Sequence, residues 1–289
     1  MKISFFRVLT ALLIPATFSA CGDAEKVEPS TPEAMYERAM ELLKPNVEGQ
    51  SSDFAGAFMW LIRSAEGEYL PAQLALAGIY LAGGKGVEAD PSKAREWFSR
   101  AAAQGSAEAE FYLGYLLFNG KGCPVDKSAA VSHWRRAADG GVAEAQYRLA
   151  LILLENSGET AEGVRLLHKV ATCEVPHLAA KAACDLGNLY AKGLYGQSVD
   201  MAKSAEWYAR AARGGESRAQ LVYAIMLLSG DPIPADPERG MAMLRLAAGQ
   251  DNPQAIALLI NLLRNGEDAA AHEEESEAWS ARLESLRKK

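Results

Sequence analysis

The feature that most constrains this chain is that it repeats itself every 36 or 37 residues. Ala-x-x-x-Leu, then Ala or Gly, then a large residue, occurs at Ala72/Leu76/Ala77/Tyr80, Ala109/Leu113/Gly114/Leu117, Ala145/Leu149/Ala150/Leu153 and Ala182/Leu186/Gly187/Tyr190. Variants follow at Ala219/Tyr223/Ala224/Leu227 and Ala255/Leu259/Ile260/Leu263. Between these lies a second signature, a bulky residue with Ala-Ala three and four positions on. It reads Phe98/Ala101/Ala102, Trp134/Ala137/Ala138, Tyr208/Ala211/Ala212 and Leu244/Ala247/Ala248, with weaker copies at Leu61 and Leu167. Both spacings mark one face of an α-helix. A chain with this period does not close a single core; it grows by stacking helix pairs, each burying the face its neighbour exposes.

Punctuation agrees with the period. Gly105, Gly141 and Gly215 stand where a helix ends in left-handed geometry. Asp90-Pro91 and Asp236-Pro237 place a capping acid before a proline suited to the first helical turn. No stretch alternates with period two, so no strand is expected. At 49% hydrophobic and 23% charged, the composition is that of a folded chain.

The unit from Ala72 to Gly105 carries Gly-x-Gly-Val, Asp, Lys-Ala, Trp-Phe, Ala-Ala and Gly in order, and it resembles a Sel-one-like repeat, a longer cousin of the 34-residue tetratricopeptide repeat. The resemblance covers residues 53–265 and is strongest for the units starting at Ala72, Ala109, Ala182 and Ala219. It implies an all-α fold, a right-handed superhelical α-solenoid of antiparallel helix pairs used as a protein-binding scaffold. Repeats start near residues 72, 109, 145, 182, 219 and 255 within a solenoid spanning 33–289. Residues 33–44 and 273–289 are expected to form capping helices. One unit departs from the pattern. After Ala145 the Gly-x-Gly loop is lost, and the step from Ala171 to Ala182 is 11 residues where the others are 7. A break in curvature is expected at Thr172–Leu178.

Residues 1–20 read as a lipoprotein signal peptide: Lys2 and Arg7, a short apolar run from Val8 to Ile14, then a small-residue exit. Ser19-Ala20-Cys21-Gly22 resembles a lipobox, which implies lipidation of Cys21; Phe18 departs from that pattern. Residues 21–32 form a polar tether. The expected location is exported and lipid-anchored, facing the periplasm, with the outer membrane favoured over the inner by Gly22. Thirty Lys and Arg against 37 Asp and Glu give −7, and loss of Lys2 and Arg7 makes it −9. That charge excludes nucleic acid as a partner and leaves contact with the membrane to the anchor alone. It favours a basic protein partner. Of Cys123, Cys173 and Cys184, the last two are the nearer pair for a disulfide. If Cys184 lies two turns into the following helix, however, their Cα atoms exceed the ~7 Å limit.

The chemistry of catalysis is missing from the pattern. Gly84-Lys85-Gly86 and Gly120-Lys121-Gly122 lack phosphate-loop spacing and follow helices. His168, Cys173 and His177 cluster in sequence without a metal-site pattern. There is no Gly-x-Ser-x-Gly elbow. The expectation is a protein that is not an enzyme, with no metal, no cofactor and no small-molecule substrate.

In tetratricopeptide-like arrays the first helix of each pair lines the concave face. Positions five and two before, and two, five and six after, the repeat leucine are expected to point into the groove. They give Glu108, Phe111, Tyr115, Phe118 and Asn119 around Leu113; Glu144, Tyr147 and Glu155 around Leu149; and Lys181, Asn188 and Lys192 around Leu186. Arg218 follows, then Asn261 and Arg264. Phe118, near its helix end, is expected to be the most exposed aromatic. The leading functional expectation is an interaction scaffold. One alternative is an immunity protein that sequesters an antibacterial type VI secretion effector of the phospholipase kind. The other is an assembly factor of an envelope polysaccharide-export complex.

Overall fold

The computed structural model describes residues 28–44, 53–84, 86–156, 158–266 and 269–288. The stretch read as a signal peptide, Cys21 and most of the stretch read as a tether lie outside them. Among the described residues there are 14 α-helices, one short 3-10 turn and no strand. The chain is an α-solenoid of antiparallel pairs, and it divides into two compact units, one up to Val142 and one from Ala143.

The first unit holds three pairs. They are α1 (Pro32–Leu43) with α2 (Phe54–Glu66), α3 (Leu70–Ala82) with α4 (Pro91–Ala103), and α5 (Ala107–Asn119) with α6 (Lys127–Asp139). The second holds four: α7 (Ala143–Glu155) with α8 (Thr160–Ala171), α9 (Pro176–Lys192) with α10 (Met201–Arg213), α11 (Ser217–Ser229) with α12 (Pro237–Gly249), and α13 (Pro253–Asn265) with α14 (Glu273–Arg287). A 3-10 turn, Ala269–His272, precedes α14.

Within a pair the repeat alanines and leucines are fully buried, as at Ala72, Leu76, Ala109, Leu149, Ala182 and Leu186. Each such leucine contributes about 1.5–3 kcal/mol. The residue after the repeat leucine faces the bulky residue of the second helix, and its size answers to it. Gly114 faces Trp134 and Gly187 faces Tyr208: a Cβ at Gly114 would lie 2.5 Å from the indole, and one at Gly187 would lie 2.9 Å from the phenol ring. At the same register Ala77, Ala150 and Ala224 accompany the smaller Phe98, Leu167 and Leu244. Glycine here is a packing choice and not a flexible one.

The loops are clipped at both ends. Asp90, Asp126, Asp200 and Asp236 cap their helices, accepting from the backbone N–H of Lys93, Ala129, Lys203 and Arg239 at 2.9–3.1 Å. Each cap stabilises by about 1 kcal/mol. Their own N–H groups donate back to the carbonyls of Tyr80, Leu117, Tyr190 and Leu227. The Gly-rich segments are therefore tight turns between paired helices. At the far end of each pair Gly105, Gly141 and Gly215 have φ of +85° to +87°. Glu68 and Asp251 hold the same position with φ of 63° and 62°.

Buried glutamines bind successive pairs. Gln73 donates to the Ala65 carbonyl and accepts from Gln104 at 2.9 Å; Gln220 donates to Ala212 and accepts from Gln250 at 2.8 Å. In α5 the position is Glu110, and its carboxylate is held by Arg136 and His133 of α6. Burial pushes the Glu110 carboxyl up, and these hydrogen bonds more than reverse that, so its pKa is lowered.

The irregular junction is absorbed as helix. α9 has 17 residues where α7, α10 and α11 have 13, so the four extra residues add about one turn at its start, behind Pro176. Cys184 is therefore two turns into α9, and Cys123, Cys173 and Cys184 are all free thiols. The last helix is held down by Arg245, which gives two hydrogen bonds to Glu275 at 2.7 and 2.9 Å, and by Arg282, which binds Asp251. Trp279, Leu283 and Leu286 close the apolar end of that stack.

Candidate functional site

The first helix of each pair buries one side against its partner and leaves a row of side chains on the other. In the first unit, the face of α5 is largely packed. Phe111 is only 7% exposed, with Tyr112 edge-on to its ring and Tyr112 stacked in turn on Phe98 at 4.7 Å. Phe111 thus belongs to the core and not to an open groove. Phe118, expected to be the most exposed aromatic of the set, is not fully open. It is half-buried, lying 5.1 Å from the Trp134 ring with the Lys127 ammonium 5.5 Å over it. Tyr115 is half-buried beneath Lys121. Asn119 is exposed and donates to the Tyr115 carbonyl. Glu108 is half-buried, and desolvation raises its carboxyl pKa.

In the second unit the face is polar and more open. Glu144 is paired with Arg148 one turn on, at 2.9 Å. Lys181, Lys192 and Arg218 are exposed, as is Glu155. Asn261 and Arg264 are exposed, the first accepting from Asn265 and the second donating to Ser280. Asn188 is half-buried and points back toward α10, where its carbonyl accepts from the Tyr208 hydroxyl at 2.9 Å. Its amide donates to the Cys184 carbonyl.

Tyr147 does not stand free. Its hydroxyl donates to Asp185 Oδ2 at 2.8 Å, linking α7 to α9. Burial, and then the Asp185 charge, raise the Tyr147 pKa well above the usual phenol range. The Asp185 carboxyl is itself raised, burial outweighing the Tyr147 hydrogen bond and the fields of Arg218 and Lys181. Beside it the Cys184 thiol is pushed up to about 12, chiefly by burial, so it is an inert thiol rather than a nucleophile.

Asp185 is the residue that the sequence reading missed. It immediately precedes the repeat leucine, a register outside the set assigned to the groove. A signal was present: the same register holds Ala75, Tyr112, Arg148, Val222 and Leu258 in the other repeats, so Asp185 is the one acid among the six. Leu151 and Ile225 stand two after the repeat leucine, within the assigned set, and they are 39% and 45% exposed.

His168 packs against Tyr190 and Trp207, and burial lowers its pKa. Among the described residues no group of three or more His, Cys, Asp or Glu side chains could hold a metal ion. No described helix is long and apolar enough to cross a membrane. A cavity of about 560 Å³ lies by the loop before α12, lined by Tyr223, Ile233, Pro234, Asp236 and Arg239.

A Sel1 repeat family model matches residues 32–69, 70–106, 107–142, 143–160, 180–216 and 217–252. The stretch it passes over, 161–179, contains the irregular junction. Among solved structures the chain is similar to a protective antigen present in uropathogenic Escherichia coli strains displaying an SLR fold. That match has 26% identity and a TM-score of 0.77, covering 88% of this chain and 54% of the other. This chain thus spans about half the length of that protein. It is also similar to a Sel1 repeat protein from Oxalobacter formigenes, with 24% identity and a TM-score of 0.68 over 84% of this chain and 96% of that one, which is a likeness of fold alone. An immunity protein from Pseudomonas aeruginosa aligns more loosely, at 19% identity and a TM-score of 0.43 over 77% of this chain and 84% of that one. No curated protein matches the chain.

Proposed function

The chain belongs to the Sel1 repeat family, and from that premise we propose that it is a periplasm-facing lipoprotein that captures a protein partner on the first-helix face of its repeats. Sel1 repeats build interaction scaffolds that are generally non-catalytic. The observation that carries the reading is the face of the second unit. On the first helices of that unit the apolar Leu151 and Ile225 are exposed, and the same helices carry the exposed Lys181 and Arg218 and the half-buried Asp185. Apolar side chains ringed by polar ones are the composition of a protein interface.

Membrane attachment through Cys21 rests on the leader-like N-terminus and supplies the compartment in which a partner would be met. In-cell crosslinking of the anchored protein, followed by identification of what is attached, tests the proposal. Capture should fall when Ile225 and Leu151 are changed to Asp, and should survive changes on the second helices. Capture that depends only on the second helices defeats it.

A sharper reading makes the partner an antibacterial effector, neutralised at the membrane. An acidic, exported, anchored binder suits that task. Cells lacking the protein should then die when challenged with the cognate toxin and survive when it is restored; indifference to the toxin excludes the role. Loss of exopolysaccharide on deletion would point instead to an export complex.

A further inference from the structure

Asp185 is hard to explain as a structural residue. It lies half-buried in the middle of α9, where burial disfavours its charge. Among the described residues the one hydrogen bond to its carboxylate comes from a neutral hydroxyl, that of Tyr147, to Oδ2. Among the described residues no Lys, Arg or His forms an ion pair with it. Lys181, one turn earlier, and Arg218, on α11, act on it through space but lie outside ion-pair distance, and both are exposed. Asn188, the neighbour one turn later, is occupied with Tyr208 and Cys184. Oδ1 therefore has acceptor capacity that the fold does not use.

The surroundings give that carboxylate a setting. At Asp185's own register α7 and α11 carry Arg148, which pairs with Glu144, and Val222; one turn on, at the register of Asn188, they present Leu151 and Ile225, both exposed. A desolvated carboxylate one turn from two exposed apolar side chains matches a long cationic side chain, whose aliphatic stem lies along apolar surface while its head meets the charge. An asparagine at 185 would accept the Tyr147 hydrogen bond equally well without the cost of a buried charge. The charge is what an asparagine would lack.

We propose that Asp185, with Leu151 and Ile225 one turn further along the neighbouring helices, is a subsite that takes an Arg or Lys side chain of a protein partner. The inference rests on the first-helix face being the interaction face, and it names the chemistry read there. Tyr147 is a positioning residue: its hydroxyl fixes one carboxylate oxygen and leaves the other toward the partner. Glu216 adds negative potential nearby, while Lys181 and Arg218 oppose it, so the specificity comes from the short-range pairing with Asp185 rather than from the general field.

The experiment uses the full chain, immobilised, and a displayed library of random dodecapeptides. Selected peptides should share an Arg or Lys with an aliphatic residue within about two positions. Their Kd should rise at least tenfold with Asp185→Asn, while the melting temperature is unchanged or higher. Asp185→Glu should restore part of the affinity, and Ile225→Asp should reduce it. Selection of peptides lacking a common basic residue, or equal binding to Asp185→Asn, overturns the proposal. So does selection of acidic peptides that need Lys181 and Arg218. Failure of the broader reading looks different. A crosslinked partner that is lost only with changes on the second helices removes the interaction face itself, whereas one retained by Asp185→Asn but lost with Ile225→Asp leaves the face standing and removes only the subsite.

Discussion

Replacing Gly114 by Ala sets two opposing effects against each other. Alanine is the better helix former by about 0.8–1.0 kcal/mol, so an open site in the middle of α5 would gain that much. Gly114 is not open. The added Cβ would sit 2.5 Å from both Cδ1 and Nε1 of Trp134 and 3.0 Å from the Ala130 carbonyl oxygen. The indole is 2% exposed and donates to the Phe111 carbonyl at 3.1 Å, so it has no free direction in which to swing. The carbonyl belongs to the α6 backbone, so relief requires α5 and α6 to separate. Overpacking of this kind costs about 1–3 kcal/mol, and with the propensity gain subtracted the net loss is at most about 2 kcal/mol.

Urea unfolding of the full chain followed by tryptophan fluorescence reads the total. Because repeat arrays can unfold in parts, hydrogen exchange in α5 and α6 localises the effect. A second substitution checks the cause. Trp134→Phe converts the pair to the Ala–Phe combination found at Ala77 and Phe98, so the double variant should lose less than the two single losses added together. A Gly114→Ala protein more stable than the parent by about 1 kcal/mol, the gain of an open helix site, would refute the packing argument.

Other outcomes follow from the same structure. Glu68→Gly should stabilise by about 1 kcal/mol in thermal unfolding, because Glu68 adopts φ of 63° where three other repeats use glycine, and the bond from Gln104 goes to its backbone oxygen. Asp185→Asn should raise the melting temperature near neutral pH. The folded-state pKa of Asp185 is raised, so its ionisation opposes folding as pH rises through that value; the gain over the parent should vanish below the ordinary carboxylate pKa. The hold on α14 should run the opposite way. Arg245 lowers the Glu275 pKa, so its contribution is present above the ordinary Glu value and is lost as pH falls through the lowered one. Amide exchange in α14 should quicken there, and Arg245→Ala should produce the same change at neutral pH. Tyr147→Phe should leave the fold intact and weaken partner capture less than Asp185→Asn does, since it removes the group that orients the carboxylate and not the charge.

The period, the two helices per unit, the capping aspartates and the glycine turns were all written in the sequence. Each is set by residues within one or two turns of each other, and local geometry needs nothing more distant. Even the odd junction was visible as four added residues, although only the structure showed that they lengthen α9. Side-chain exposure was another matter. Phe111 and Phe118 occupy positions read as open, but Trp134 and Tyr112 fill the space around them. Tyr147 meets Asp185 from 38 residues away, and Asn188 turns to Tyr208 from 20 away. Helical periodicity says which side of a helix a residue lies on. Whether that side is covered depends on the size and reach of side chains a repeat or more distant, and that is decided only when the helices stack.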